Sequence, residues 1–318
     1  MNFEEQQKHN LLVNVARLYY LQRLTHQQIA DKLSISRIKV TRLLQEAVEN
    51  QIVAFHIKDP IIGTSELKER LEKLFHLREA VITPAPADGA AFYDVLGHYA
   101  ATFLMDNLTD HAVVGMGFGR TLNGMLPYLK RVSCKNIEIV SLTGGLAANQ
   151  EQPNPYDVVS AVAAKLGGRA HYMLVPAIAE SAEAKEIFFR DKTVQPITEL
   201  WDKLDVCIMS IGLISPETGV FYAFDNPAAQ ADLTRKSGGV GDLLIRPFDK
   251  CGNFIAVDFL ERTIAVDFGQ IKRAPLVVGV AGGDRKFAAV LGALRSGYLN
   301  ILITDEVTAV RLVNHPES

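Results

Sequence analysis

Six nearly continuous apolar runs constrain this chain more than any other feature: "AVVGMG" (112–117), "IEIVSL" (137–142), "HYMLVP" (171–176), "DVCIMSIG" (205–212), "PLVVGVAGG" (275–283) and "NILIT" (300–304). Each is too short for a membrane helix, which needs ~20 apolar residues. Each is also too uninterrupted for a sheet with one wet face. Helical patterns fall between several of them, at Arg120–Leu129, Tyr156–Leu166, Ala182–Arg190 and Lys286–Arg295. Buried strands alternating with helices predict a parallel sheet covered on both faces, an α/β fold. Ligands in such sheets sit beyond the carboxyl ends of the strands. The loops after these runs are therefore where binding residues are sought.

Three of those loops are rich in glycine. "GMGFGRT" carries Gly117, Gly119, Arg120 and Thr121; "SLTGG" carries Thr143, Gly144 and Gly145; "AGGDRK" carries Gly282, Gly283 and Lys286. Glycines let the backbone approach an anion, and free N–H groups at a helix start bind phosphate. Arg120 and Lys286 stand where a cation would assist. A structural turn is the better explanation of any one such loop taken alone; three at strand ends are a pattern. "GGVGDLLIRPFD" (238–249) places Asp242 in a Gly-rich approach. Its carboxylate suits ligand hydroxyls, or it caps its own turn. In "ITDEVTA" either Thr304 or Asp305 suits the N-cap of a helix start and Glu306 suits its dipole, a sufficient structural role.

The first fifth of the chain is of another kind. "LTHQQIADKLSISRIKVTRLLQEA" (24–47) reads as two short helices with a tight joint. Thr25 and Gln28 have capping-box spacing, Ile29, Ala30 and Leu33 form one apolar stripe, and Ser36 starts a second helix striped by Val40, Leu43, Leu44, Ala47 and Val48. A preceding helix is expected over Asn10–Leu21 and a strand pair or wing over "QIVAFHIKD" (51–59). The pattern is a helix-turn-helix. Arg37, Lys39, Thr41 and Arg42 avoid the apolar stripe, and no acid stands between Ser36 and Gln45. Such side chains contact phosphates and base edges in a major groove. The expected DNA-facing set is Thr25, Gln27, Gln28, Ser36, Arg37, Lys39, Thr41 and Arg42. The charge is uneven in the same sense. Residues 1–58 hold 8 Lys+Arg against 5 Asp+Glu, while the whole chain has a net charge of -3. A basic end on an acidic body fits a DNA reader on a body that does not stick to DNA.

Cys134, Cys207 and Cys251 lie far apart with no CxxC pair, and the histidines have no metal-ligand spacing, so no metal or cofactor is expected. The polar start "MNFEEQQKHN" is unlike a signal peptide. A reducing cytoplasm is the expected compartment, with no membrane association. Pro60 and Gly63 mark a domain boundary, followed by an amphipathic helix, "SELKERLEKLFHL".

The order of "QQIADKLSISRIKVTRLLQEA", "VVGMGFGRTL", "SLTGG", "GGVGDLLIRPFD" and "AGGDRKFAAVLGALRSGYLNILITDE" resembles the SorC family of bacterial transcription regulators over nearly the whole chain. The resemblance implies a helix-turn-helix DNA-binding domain over 1–58. Over 59–318 it implies a larger Rossmann-like α/β domain for effector binding and oligomerisation, similar in fold to ribose-5-phosphate isomerase and glucosamine-6-phosphate deaminase. It further implies double-stranded operator DNA and a sugar or sugar-phosphate effector as partners, a homodimer or homotetramer, and control of a sugar or polyol operon. The phosphate would lie near "GFGRT", "TGG" and "AGGDRK", with Lys286 as its cation. Sugar hydroxyls would lie near Asp242 and the backbone of Leu244. Two stretches, "KDPIIGTSEL" and "ANQEQPNPYD", depart from the family pattern. The alternative is an isomerase- or deaminase-like enzyme. That needs a positioned acid/base pair, for which the loops offer only Asp242 and Asp284, and it leaves the helix-turn-helix without a use.

Overall fold

The structure, a computed structural model, describes residues 3–50, 52–53, 60–85, 89–146, 154–217 and 220–315. Packing divides the chain into two compact units, Met1–Pro60 and Ile61–Ser318. Among the described residues no helix is long and apolar enough to cross a membrane.

The first unit is built from α1 (Phe3–Ala16), α2 (His26–Leu33) and α3 (Arg37–Glu49). α1 begins earlier than the apolar pattern suggests, and its continuation, Arg17–Leu21, is wound as a π-helix. Leu12, Val15, Ile29, Val40, Leu43, Leu44 and Ala47 form its core. Thr25 caps α2 as its spacing predicts. Its hydroxyl accepts from the Gln28 N–H at 3.3 Å while its own N–H donates to the Gln28 side chain at 2.9 Å. Ser34, left-handed at φ 51°, ends α2. The Ser36 hydroxyl then accepts from the Lys39 N–H at 3.2 Å, starting α3 two residues later. Nearly all of the expected wing, residues 51 and 54–59, lies outside the described residues, as does most of "ANQEQPNPYD".

In the second unit, α4 (Pro60–Phe75) buries Leu71 against the body. The sheet comprises β1 (Glu79–Thr83), β2 (Val113–Met116), β3 (Glu138–Ser141), β4 (Arg169–His171), β5 (Val206–Ser210), β9 (Leu276–Val280) and β10 (Ile301–Asp305). Its order is β1-β10-β9-β5-β2-β3-β4, and every pairing is parallel. Two apolar layers cover its faces. A small antiparallel sheet of β6 (Gly212–Leu213), β7 (Gly241–Leu243) and β8 (Arg246–Phe248) stands beside it.

Three expectations are corrected. The strand expected over 171–176 is β4, displaced towards the N-terminus. The apolar residues Met173 and Val175 are buried from an irregular segment, which meets Gly145 through a single bridge at Pro176. The helix expected over Arg120–Leu129 is the single turn α6 (Arg120–Asn123) followed by a 3-10 turn at Leu126–Tyr128. It breaks at Gly124, where α5 (Gly89–Asp106) crosses: a Cβ on Gly97 would fall 2.3 Å from the Gly124 carbonyl carbon. The helix expected from Lys286 starts as a 3-10 turn, Asp284–Lys286, before α12 (Phe287–Arg295).

The chain enters the sheet at an edge, passes through β2 and moves outward to β3 and β4. It returns to β5, on the other side of β2, and moves the opposite way to β9 and β10. The order reverses between β2 and β5. The connections leaving them diverge and open a crevice at their carboxyl ends, the place where open α/β sheets bind ligands.

Candidate effector site and candidate nucleic-acid interface

The crevice at this reversal is lined from both sides. Phe118–Thr121 follow β2, and Ser210–Leu213 follow β5. The two loops are tied together. The Gly117 N–H donates to the Ile208 carbonyl at 2.8 Å, and the Ser210 hydroxyl donates to the Phe118 carbonyl. Gly119 adopts φ 123°, a conformation that L side chains rarely adopt, and a Cβ there would lie 2.6 Å from the Ser210 hydroxyl. Two glycines of the expected phosphate loop thus serve close loop–strand approach, and they deliver Arg120 into the cleft.

The cleft has two chambers. The inner one, about 50 Å³, reaches Ser210, Gly212, Asp242 and Leu244. The outer one, about 310 Å³, lies against Phe92, Leu213, Gly283 and Arg285. Tyr93, Arg120, Thr121, Leu213 and Lys286 line both. The Arg120 guanidinium sits over the Tyr93 ring, 5.0 Å from its centroid. The Lys286 ammonium crosses from the far loop and donates to the Ile211 carbonyl at 2.7 Å.

Asp242 enters from β7, directly opposite Gly212 of β6 in register. It is buried at 4% exposure. Its Oδ2 accepts the Ile245 N–H at 3.2 Å, and its Oδ1 has no hydrogen-bond partner. An unpaired buried carboxylate oxygen facing a cleft is a strong acceptor awaiting a donor such as a hydroxyl. Leu244 and Ile245 both have positive φ, 47° and 70°. That is the sign pattern of a type I′ hairpin turn, which Asn-Gly usually occupies. Two bulky side chains in it represent local strain beside the cleft.

Charge follows from this burial. Loss of water pushes the Asp242 carboxyl up to about 6, against the opposing pull of the Ile245 N–H and the Lys286 charge. Burial lowers Lys286 to about 8, helped by repulsion from Arg120 and resisted by Asp242. In the inner chamber Arg120 and Lys286 thus face the single carboxylate of Asp242, whose acidity is reduced, and a bound anion would relieve the repulsion between the two cations.

Of the expected effector residues, the structure gathers Gly119, Arg120, Thr121, Asp242, Leu244, Gly282, Gly283 and Lys286 around the cleft. Gly117 supports it from beneath. Thr143, Gly144 and Gly145 are placed elsewhere, behind β3 and one strand removed from the reversal. The Gly144 N–H donates to the Ile264 carbonyl and that of Gly145 to the Val175 carbonyl. Cβ atoms there would strike Pro176 and the Tyr156 ring. Even within the cleft, the Gly283 N–H is used internally, by Asp305 at 2.8 Å and Thr308 at 2.9 Å. Asp305 also caps α13 (Glu306–Val313), the structural role its sequence position suggests. The small β6–β8 sheet and Tyr93 escaped the sequence reading. The first has strands of only two or three residues, and the second lies on α5, whose exposed polar side chains are confined to the narrow line Asp94, His98, Thr102 and Asp106. Among the described residues no acidic, histidine or cysteine group could hold a metal ion. Cys207 is buried and its thiol is pushed up to about 12.

In the first unit, Arg37, Lys39, Thr41 and Arg42 all face solvent on α3. The Thr41 hydroxyl reaches His26 Nδ1 at 3.2 Å, linking α3 to α2. Thr25, Gln28 and Ser36 are exposed but engaged in capping, and Gln27 donates to Asp31 at 2.8 Å. One outward residue was not expected: Ile38, also on α3.

The family model described as "Putative sugar-binding domain" matches residues 59–314. The chain is 30% identical to the deoxyribonucleoside regulator of Bacillus subtilis over 313 residues, 98% of this chain and 99% of that one. It is 30% identical to the erythritol catabolism regulatory protein EryD of Brucella abortus, covering 96% and 97% of the two chains. The crystal structure of the full-length sorbitol operon regulator SorC from Klebsiella pneumoniae superposes with a TM-score of 0.72 at 26% identity, over 96% of this chain and 98% of that one.

Proposed function

This chain belongs to the SorC family of bacterial transcription regulators, and from that premise we propose that residues 1–58 read operator DNA and residues 59–318 bind the sugar-derived effector that controls the reading. It is a regulator, not an enzyme. The operon it controls serves sugar or polyol catabolism, the class to which the names of its relatives point.

The observation that carries the effector reading is the cleft where the sheet order reverses, with Arg120 and Lys286 beside the unpaired Oδ1 of Asp242. A phosphorylated sugar or polyol answers both needs. Its dianion balances two cations through charge-assisted bonds, and a hydroxyl donates to Asp242. The chambers together suit a small ligand rather than a polymer. We assign the DNA contacts to the exposed face of α3, and the working assembly to a dimer or tetramer in the cytoplasm. One recognition helix reads only a few base pairs, so two copies are needed for two half-sites.

The test is a thermal-shift screen of the full chain against phosphorylated and free pentoses, hexoses, tetritols and hexitols, followed by a mobility shift on the DNA beside its own gene. A phosphorylated ligand should raise the melting temperature and change the shift. Stabilisation by free sugars alone would refute the phosphate assignment, and no binding to that DNA with or without ligand would refute the regulator reading at this locus.

A further inference from the structure

Ile38 is 75% exposed on a helix whose other outward residues are polar. At about 100° per residue, the buried side chains Val40, Leu43, Leu44 and Ala47 centre on one side of α3. Ile38 lies diametrically opposite, at the outermost line of the helix, with Arg37 and Thr41 to one side of it and Arg42 to the other. A β-branched apolar group there adds nothing to the core and slightly disfavours the helix. The concave surface beside it is bounded by Lys8, Lys39, Arg42 and Glu46; Lys8 is paired with Glu46 at 2.9 Å, so the net positive charge of the surface comes from Lys39 and Arg42. A partner that fits is therefore anionic at its rim and offers an apolar group at its centre. The DNA major groove has that form, with phosphates along both edges and the C5-methyl of thymine on its floor.

We infer that Ile38 packs on a thymine methyl and fixes the base preference at one position of each operator half-site, while Arg37 and Arg42 hold the helix in register. The inference rests on the DNA-reading role proposed for residues 1–58 and adds the residue and the base to it.

The experiment uses the full-length protein and the operator located by footprinting beside its gene. A series of duplexes replaces one thymine at a time by deoxyuridine, which removes only the methyl. Wild type should lose about fourfold in affinity at one thymine of each half-site, the worth of one buried methyl. Ile38→Ala, which removes the contact from both copies, should lose at least the product of the two, roughly sixteenfold, on the unmodified operator and show no further loss at those deoxyuridines. Ile38→Val, which keeps a branched apolar contact, should retain the discrimination. The inference is overturned if wild type is indifferent to every deoxyuridine, if Ile38→Ala binds like wild type, or if its deoxyuridine penalty is undiminished. A wild type that binds no DNA at all would instead sink the DNA-reading role, and the inference with it.

Discussion

The Asp242 carboxylate occupies the space in which Gly212 would carry a side chain: a Cβ on Gly212 would stand 1.9 Å from Oδ1. The two residues face each other across the antiparallel pair β6–β7. Gly212→Ala should displace the carboxylate from the inner chamber. Overpacking of this kind destabilises by about 1–3 kcal/mol. Effector affinity should fall at least tenfold, and Gly212→Ala should cost little stability in an Asp242→Ala background. A melt of the four proteins of this cycle measures the coupling, and additive effects would contradict it.

Stability should depend on pH through Asp242. Folding raises its pKa from 3.8 to about 6, so the folded chain retains a proton that the unfolded chain releases between those values. Wild-type stability therefore falls as pH rises across that window, and the full penalty stands above it. Asp242→Asn removes the penalty while keeping an acceptor for the Ile245 N–H. It should match wild type below pH 4 and exceed it by at most about 3 kcal/mol above pH 6, while binding effector poorly. Urea titrations at both pH values give the comparison. Equal pH profiles would show that the carboxylate is not buried in its charged form.

Lys286→Ala should lose the response to a phosphorylated effector and keep operator binding. Removal of a charge-assisted hydrogen bond costs roughly 1.5–3 kcal/mol, or one to two decades in affinity. In wild type a phosphate would raise the Lys286 pKa above its unliganded value of about 8. Binding then takes up a proton, and affinity should weaken as pH climbs beyond 8, a trend that Lys286→Ala should lack. Calorimetric titration between pH 7 and 9 tests this; a pH-independent wild type would remove Lys286 from the anion site.

Arg37→Ala and Arg42→Ala should each weaken operator binding, by about 1–3 kcal/mol where a base contact is lost, and leave effector affinity unchanged. A phosphate contact would instead appear as weaker binding to all sequences with a shallower salt dependence. Mobility shifts at two salt concentrations separate the two outcomes. Normal, specific binding by both variants would displace α3 as the reading helix.

The parts that could be read from the chain are those determined by neighbours in sequence. Thr25 and Gln28 cap α2 because they stand three residues apart, and the stripe from Val40 to Ala47 exposes Arg37 and Arg42 automatically. The loops after β2 and β9 announce themselves because an apolar run must end before a polar one starts. α5 was not legible: Leu96, Ala100, Ala101 and Leu104 are fully buried, and with only the narrow line Asp94, His98, Thr102 and Asp106 exposed among the described residues the apolar period is weak. Asp242 depended on a glycine thirty positions earlier, which no local pattern discloses. Gly144 and Gly145 show that glycine marks close approach without saying what approaches: in the structure their Cα atoms face Pro176 and the Tyr156 ring.

The inner walls of the cleft come from residues 93, 118–121, 210–213, 242, 244 and 286, whereas the buried helix-turn-helix core is complete by Ala47. The two units therefore mature at different moments of synthesis. At roughly 5–20 residues per second, the ribosome delivers α3 some tens of seconds before it delivers Lys286. Every newly made copy passes through an interval in which α3 exists and the cleft does not. Any control exerted through the cleft can begin only when nearly the last strand has entered the sheet.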